Sequence, residues 1–400
     1  MKTLKILSVF LLVILLGCTE ETIINNYSAE GLGKVNVYIE GNITNEEAQA
    51  KLIAEIGTQT ENIYVQNTSQ LSSISINFNI NLRDIYFNNN QYLKNISIKG
   101  TNNKINKIEI EDGHYLNKIL INGVVEANQL DFGHMAGDYN LNEFIDIECH
   151  DLVTIHGNLR LFIGQYDHPV FNKLNFYDLK YINKTIKNST YNRWQGNYSE
   201  FNMPELEEVY TLEHFVHAAN ISYPKLKTLG GIAIGYGPTG QTLTFPVLED
   251  LNGSINFDQI SINSTFNFPL LKICGGIGIE ATNSTFNFSS LKEIINLNIL
   301  SSQININFPL LEKISNRLYS TSENFTILNL PSLNYCLVNN YEYYPDGGLP
   351  SSTVNTILSK FITIQPLSGK TIRIDGEQPT GQGLTDLQTL VNQGNSVLIY

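Results

Sequence analysis

The chain has 400 residues, of which 38 are acidic and 25 are basic, so its formal net charge is −13. Proteins that bind nucleic acid depend on Lys and Arg contacts to phosphate, and this acidic chain has no basic stretch, which argues against nucleic acid as a partner. Hydrophobic residues make up 42% of the sequence and charged residues only 16%. That balance excludes an intrinsically disordered protein and supplies enough apolar material for a long folded core.

The N-terminal segment MKTLKILSVFLLVILLGC has the features of a secretory signal. Lys2 and Lys5 precede an apolar run at 6–16, which is shorter than the about 20 residues that a membrane-spanning helix needs. The run ends in LLGC at 15–18, which resembles the lipobox of bacterial lipoproteins. The resemblance implies cleavage before Cys18, lipid attachment to its sulfur, and membrane anchoring without a spanning helix. The alternative is an ordinary signal peptide with an incidental cysteine.

The residues that follow the signal bear on location. Thr19-Glu20-Glu21 is similar to the short acidic export tag of surface lipoproteins. The resemblance implies a bacterial outer-membrane protein that faces outward, with the inner leaflet as the alternative. Cleavage would remove two lysines and leave 23 basic residues against 38 acidic ones, a net charge of −15.

The second half of the chain repeats a phrase of the form F-P-x-L-x-x-L. The hexapeptide NSTFNF occurs at 263–268 and again at 283–288. The second position of the phrase recurs along the chain at Pro204, Pro224, Pro246, Pro269, Ser289, Pro309 and Pro331. Such a regular period is typical of a solenoid, in which each coil buries its apolar face only by stacking on its neighbours. We therefore predict that Phe266 and Phe286 point into the core.

The first half repeats the related phrase L-x-x-I-x-I at about half that period. Because a coil of that length would be very tight, we predict two short strands in each coil of about 22 residues. Alternation along a strand predicts that Ile96 and Ile98 face the core. Proline lacks an N–H group, so the prolines of the second half are expected at the corners of the coils.

These phrases resemble the repeats of bacterial surface leucine-rich-repeat proteins, including their receptor-L-domain-like modules. The asparagine of the consensus L-x-x-L-x-L-x-x-N is replaced, for example by Thr101 and Val124. The resemblance implies a mostly β fold with small α/β caps, namely a leucine-rich-repeat-like β-solenoid with about 20–23 residues per coil.

Both ends of the repeat region predict an α/β cap. At the start, a strand at 35–41 is followed by Thr44 and Glu47, which match a capping box for a helix ending near Ile56, and a second strand follows at 62–66. At the far end we predict a helix, a strand, a helix and a strand, at 353–361, 371–375, 384–392 and 397–400. The predicted organisation is a signal peptide at 1–17, a tether at 18–33, an N-terminal cap at 34–66, a solenoid at 67–340 and a C-terminal cap at 341–400.

One step of the repeat, from Phe171 to Met203, is clearly longer than the others. The surplus lies near 182–198 and carries the only tryptophan. Insertions in solenoids form loops, often on the binding face, where aromatic rings can stack on sugars or anchor a protein partner. With a second segment at 341–344, this gives seven candidate ligand-binding residues: Tyr191, Arg193, Trp194, Tyr198, Tyr341, Tyr343 and Tyr344. The alternative is that these rings pack back onto the protein surface.

The sequence shows no strong pattern of catalytic or metal-binding residues. All seven histidines lie within 114–217, but no spacing is typical of a metal site, so we expect neither a metal nor a cofactor. In the densest group, at 148–151, neighbouring side chains would point to opposite faces of a strand. Apart from Cys18, an odd number of cysteines remains, and we expect Cys149, Cys274 and Cys336 in the core rather than in disulfides.

Three functions are compatible with the sequence. The resemblance to surface repeat proteins implies a non-enzymatic binding or adhesion module for a protein or glycan ligand. A structural or accessory envelope protein without its own ligand is the second hypothesis. A glycan-cleaving β-solenoid enzyme is the third, with Asp131, His134 and Asp138 as its nearest set of acids and bases. An exposed apolar or aromatic patch on one face would favour binding.

Overall fold

The structure is a computed structural model that describes residues 32–80, 82–111, 115–133, 145–163, 172–182, 192–235, 240–260, 263–300, 304–322, 324–337, 340–343 and 347–400. These residues form a mostly β protein. Its helices are α1 (Asn45–Glu55), α2 (Ser351–Thr363), α3 (Gln382–Asn392) and a 3-10 helix (Ile327–Asn329). Its strands are β1 (Asn36–Gly41), β2 (Asn62–Thr68), β3 (Ser73–Asn77), β4 (Asp84–Asn88), β5 (Asn95–Ile110), β6 (Lys118–Phe132), β7 (Asp146–Cys149), β8 (Thr154–Ile155), β9 (Leu159–Ile163), β10 (Asn172–Phe176), β11 (Tyr181–Ile182), β12 (Asn192–Asn202), β13 (Glu208–Val209), β14 (Leu212–His217), β15 (Asn220–Ser222), β16 (Thr228–Leu229), β17 (Ile232–Gly235), β18 (Thr242–Thr244), β19 (Asp250–Ile260), β20 (Thr265–Asn267), β21 (Ile273–Ala281), β22 (Ser284–Asn287), β23 (Glu293–Ile299), β24 (Ile304–Asn307), β25 (Lys313–Ser320), β26 (Tyr335–Cys336), β27 (Asn340–Tyr343), β28 (Thr371–Ile374) and β29 (Ser396–Ile399).

The strands pair in parallel, and partners lie one sequence repeat apart. In the first half, Asp84 pairs with Asn62 of the preceding repeat. In the second half, Leu297 pairs with Ile277 in the same way. A long parallel sheet with this register is compatible with a β-solenoid-like arrangement, in which each coil adds one strand to each column.

In the first half, each repeat of about 22 residues contributes two stretches of strand to the parallel sheet, either as two strands or as two parts of one long strand. The long strand β5 pairs with β3 through its first part, where Ile96 lies beside Ile74, and with β4 through its second part, where Ile108 lies beside Ile85. Ile96 and Ile98 are buried, as the alternation predicts. The shorter step of the first half is thus the number of residues between two strand stretches of one repeat.

The repeated hexapeptide forms part of the core. Phe266 and Phe286 lie side by side on β20 and β22, and both side chains are buried. Their ring centroids are 5.2 Å apart with an interplanar angle of 15°. The next phenylalanine of each copy, Phe268 or Phe288, stacks in the same way at 5.1 Å. Pro269 begins a turn directly after Phe268, so the proline marks a corner as predicted.

The cap elements form in the predicted order. The N–H of Glu47 donates to Thr44 Oγ1 at 3.3 Å, and the N–H of Thr44 donates to Glu47 Oε2 at 2.9 Å, which completes the capping box of α1. This helix connects β1 to β2, which pair in parallel. At the far end, α2, β28, α3 and β29 match the predicted helix, strand, helix and strand within a few residues.

The three described cysteines are free and buried, as expected for core residues. Cys274 and Cys336 stand in the apolar positions of β21 and β26. Burial raises the pKa of both thiols to about 12, so they stay protonated near neutral pH.

Candidate functional site

One side of the repeat region is a column of parallel strand segments, which we call the strip face. It consists of β13, β16, the first residues of β19, β21, β23 and β25, and β26. Their inward residues, such as Val209, Leu229 and Leu251, are buried. The outward residues pair from coil to coil in one row: Glu208, Thr228, Asp250, Ile273, Glu293, Lys313 and Tyr335. The phrase L-x-x-L determines this row. Its first and fourth residues point inward, so the third residue, directly before an inward one on the strand, points outward.

A groove of about 920 Å³ crosses the first coils of the strip face. Its lining includes Glu208 and Tyr210 from one coil, Lys227 from the next, and Asp250 and Asn252 from the third. This volume is within the range of about 300–1,000 Å³ that is usual for small-molecule sites. The groove is thus formed by residues from successive repeats of the sequence.

Backbone atoms line part of the groove, because Gly230 and Gly253 are in its lining and have no side chains. Both glycines follow the strand segments of the strip face, at a position we call the glycine corner. A Cβ atom on Gly253 would lie 1.8 Å from the carbonyl oxygen of Gly230, and one on Gly230 would lie 2.1 Å from that of Tyr210. Neither position has room for a side chain. The dipeptides GG at 230–231 and NG at 252–253 are the sequence signal for this close approach.

The groove is acidic. Its lining has three carboxylates, Glu208, Glu249 and Asp250, against the single ammonium group of Lys227. Glu249 also accepts a 2.5 Å hydrogen bond from Lys272, whose pKa is raised by this contact. Glu208 and Asp250 flank Thr228 in the outward row, so their Cα atoms are about 9–10 Å apart, two strand spacings. The arrangement favours a ligand that carries positive charge.

Exposed apolar side chains lie beside these carboxylates. Tyr210 is 40% exposed, Leu270 42% and Ile273 49%. The same face continues with Ile295 and Leu310 in the next two coils, and both are exposed. Exposed aliphatic and aromatic residues grouped on one side of a protein are typical of an interaction surface.

The segment around Trp194 that the sequence analysis predicts as a binding loop is described only from Asn192 onward, and residues 183–191 lie outside the described residues. Arg193 and Trp194 lie in β12, which pairs with β9 on one side and with β14 on the other. Trp194 is in register with Leu161 and His214, both buried. The length of the repeat step indicates that residues are inserted but not where they lie. The described part of the segment, from Asn192 onward, has its backbone in the sheet.

Tyr198 lies in β12 and is buried, which favours the alternative that its ring packs back onto the protein. Only 5% of this residue is exposed, and its ring packs edge-on against Phe201 at 5.2 Å. Burial raises its pKa well above the usual value for tyrosine. An aromatic side chain of this size gains more from the core than from solvent, as the alternative interpretation held.

Tyr341 and Tyr343 lie in β27, between β25 and β28, and not on a loop. Tyr341 is in register with Leu318 and Ile372, which are buried. Tyr191, Tyr344 and the lipidation residue Cys18 lie outside the described residues. Among the residues that the structure describes, the predicted aromatic residues lie on two separate strands, β12 and β27.

Sequence reasoning missed Tyr210, Leu270 and Ile273. A signal was present, because aligning the repeats on their prolines places Ile273 in a column that otherwise holds Glu, Thr, Asp, Lys or Tyr. An aliphatic residue at a position that otherwise holds polar, outward-facing residues indicates an exposed apolar group, which is a signal for an interaction surface.

The described residues offer no group of three His, Cys, Asp or Glu side chains that could hold a metal ion. His156 lies 3.0 Å from Glu126 and lowers the pKa of that carboxyl. Burial raises the pKa of Asp131, which is 3.5 Å from Arg160. The other two residues of the enzymatic hypothesis, His134 and Asp138, lie outside the described residues. Over the ranges that the structure covers, no helix has the length and apolarity to cross a membrane.

Comparison of the chain with protein-family models, with curated proteins and with solved structures finds no match.

Proposed function

We propose that this chain is a lipid-anchored, outward-facing repeat protein that binds a protein ligand through the strip face. The observation that carries the proposal is the grouping of Tyr210, Leu270 and Ile273 beside the acidic groove. Aromatic and aliphatic anchors next to charged groups are typical of protein interfaces, where a few such residues supply most of the binding energy.

The proposed architecture is a leucine-rich-repeat-like β-solenoid of about 20–23 residues per coil, with an α/β cap at each end. The parallel register and the resemblance of the repeat phrases to bacterial surface leucine-rich-repeat proteins support it. A solenoid gives the extended surface that a protein ligand can cover, because outward residues of successive coils form continuous rows.

The proposed anchor is diacylated Cys18, supported by the LLGC segment at 15–18. Radiolabelled palmitate fed to bacteria that express the full chain should label the protein, and Cys18→Ser should lose the label and leave the membrane fraction. Protease added to intact cells should degrade the wild-type chain if it faces outward. An unlabelled wild-type chain would contradict the anchor, and protection from protease would contradict the outward orientation.

We expect Ile273→Ser to weaken ligand binding at least about tenfold, the effect of losing about 1.4 kcal/mol at an interface anchor. The measurement is binding of the full chain, purified in detergent, to an array of extracellular-matrix and serum proteins. Tyr210→Ala should weaken the same interaction. Ile53→Ser is the matched control, since Ile53 is an exposed aliphatic residue on α1, away from the strip face.

A glycan array run in parallel separates the alternatives. Binding to glycans alone, unchanged in Ile273→Ser, would contradict a protein ligand on the strip face. No binding on either array would instead favour a structural or accessory envelope protein.

A further inference from the structure

A second concave surface lies beyond the glycine corner, on the same coils as part of the strip face. Its floor is the part of β21 with Gly276 and Gly278, whose outward positions carry no side chain. Side chains of the two neighbouring strands form its walls: Ser254 and Asn256 on β19, and Asn296 and Asn298 on β23. We call this 310 Å³ depression the glycine slot.

The two glycines keep the slot open. A Cβ atom on Gly276 would lie 2.8 Å from Ser254 Oγ, and one on Gly278 would lie 3.0 Å from Asn256 Oδ1. The side chains of Ser254 and Asn256 thus reach toward the floor, and their polar ends border the slot. Glycine in the interior of a strand costs stability and often marks a place where a ligand or another backbone approaches closely.

Two residues of the slot lining each carry a buried polar atom without a hydrogen-bond partner among the described residues: Nε of Arg317, which is a donor, and Oδ1 of Asn298, which is an acceptor. Buried polar atoms are almost always paired, because leaving them unpaired costs free energy. A group that satisfies both atoms must accept one hydrogen bond and donate another. Hydroxyl groups have both capacities.

The slot lining has one charged side chain, Arg317, and a neighbouring carboxylate partly offsets its charge. The guanidinium of Arg317 lies 3.5 Å from Glu342, which also contacts Arg373 at 2.6 Å. The rest of the lining is neutral and rich in amides, each of which can donate and accept. An anionic ligand would meet the amide oxygens as well as the partly compensated cation, so a neutral ligand fits better.

We propose that the glycine slot is a binding site for a neutral saccharide unit. Hydroxyls of the sugar accept from Arg317 and donate to Asn298, and the glycine floor lets the ring lie against the backbone. The slot volume, at the lower end of the about 300–1,000 Å³ range for ligand pockets, matches one or two sugar rings rather than a long chain. The inference is independent of the protein ligand proposed for the strip face.

The test is a titration of the full chain with neutral hexoses, N-acetylhexosamines and their disaccharides, followed by saturation-transfer NMR, with inorganic phosphate as the anionic probe. At least one neutral saccharide should bind saturably in the millimolar range or tighter, and Asn298→Ala should weaken it at least about tenfold. Gly278→Leu should abolish it by filling the slot. Asn88→Ala is the matched control, because Asn88 is an exposed asparagine on β4, far along the chain from the slot.

Asn298→Ala also separates a binding role from a structural one. Removing an unsatisfied buried oxygen should leave the thermal midpoint of the free protein unchanged or slightly higher, while saccharide binding falls. Failure of every neutral saccharide to bind would overturn the proposal, as would binding that persists in Asn298→Ala. Tighter binding of phosphate than of any sugar would overturn the ligand class. The wild-type chain and Asn298→Ala are sufficient to test the proposal if Gly278→Leu does not fold.

Discussion

Replacing Gly253 by alanine should destabilise the protein by about 4 kcal/mol or more, among the largest effects of a single substitution. The added Cβ would lie 1.8 Å from the carbonyl oxygen and 2.8 Å from the carbonyl carbon of Gly230. These are backbone atoms of the preceding coil, so no side-chain rotation can relieve the overlap. The two coils would have to move apart at the floor of the groove.

Gly231→Ala is the matched control, because it adds the same methyl group at the same corner. Its Cβ would be 3.5 Å from the nearest atom, the carbonyl oxygen of Ser254, which is an ordinary van der Waals distance. We expect its free energy of unfolding to stay within about 0.5 kcal/mol of wild type. Urea denaturation of the two variants measures the difference. Equal midpoints for Gly253→Ala and Gly231→Ala would show that the coils are not in such close contact.

Phe286→Ala should lower the free energy of unfolding by about 3–5 kcal/mol, the usual cost of removing a buried phenylalanine side chain. Phe286 is fully buried, with its ring centroid 4.8 Å from that of Phe257 and 5.2 Å from that of Phe266. Its loss removes apolar contacts and leaves a cavity between adjacent coils. Because each coil is stabilised by its neighbours, the effect should reach the next copy of the hexapeptide.

A double-mutant cycle with Phe266→Ala checks this coupling. The pair should show an interaction energy of about 0.5–1.5 kcal/mol, because the rings stack directly. Ile295→Ala serves as the control, since Ile295 is largely exposed and its truncation should cost little. Additive losses for the two phenylalanines, or a loss at Phe286 no larger than at Ile295, would contradict the stacked core.

Those features of the fold that depend only on neighbouring residues in the sequence were predictable. The alternation of Ile96 and Ile98, the capping box at Thr44 and Glu47 and the corner at Pro269 each follow from a few neighbouring residues and are all confirmed. Local backbone geometry decides these features, so a short stretch of sequence contains the information.

The strand position of Arg193 and Trp194 was not predictable from the sequence, because it depends on partners far along the chain. Trp194 lies in a strand because β9, one coil earlier, and β14, one coil later, both pair with that segment. Neither partner is visible in the composition of the segment itself. A rare aromatic residue in a long repeat step therefore does not by itself indicate a loop.

The sequence by itself determined the period, the inward residues and the order of the cap elements, since these follow from the alternation of side chains and from backbone capping. Only the tertiary structure decided which outward residues meet. Glu208, Asp250 and Leu270 share a groove, and Arg317 and Asn298 share a slot, although the members of each set come from different repeats of the sequence. The physical reason is that parallel pairing brings residues that are one repeat apart along the chain to one strand spacing, about 4.8 Å, apart in space.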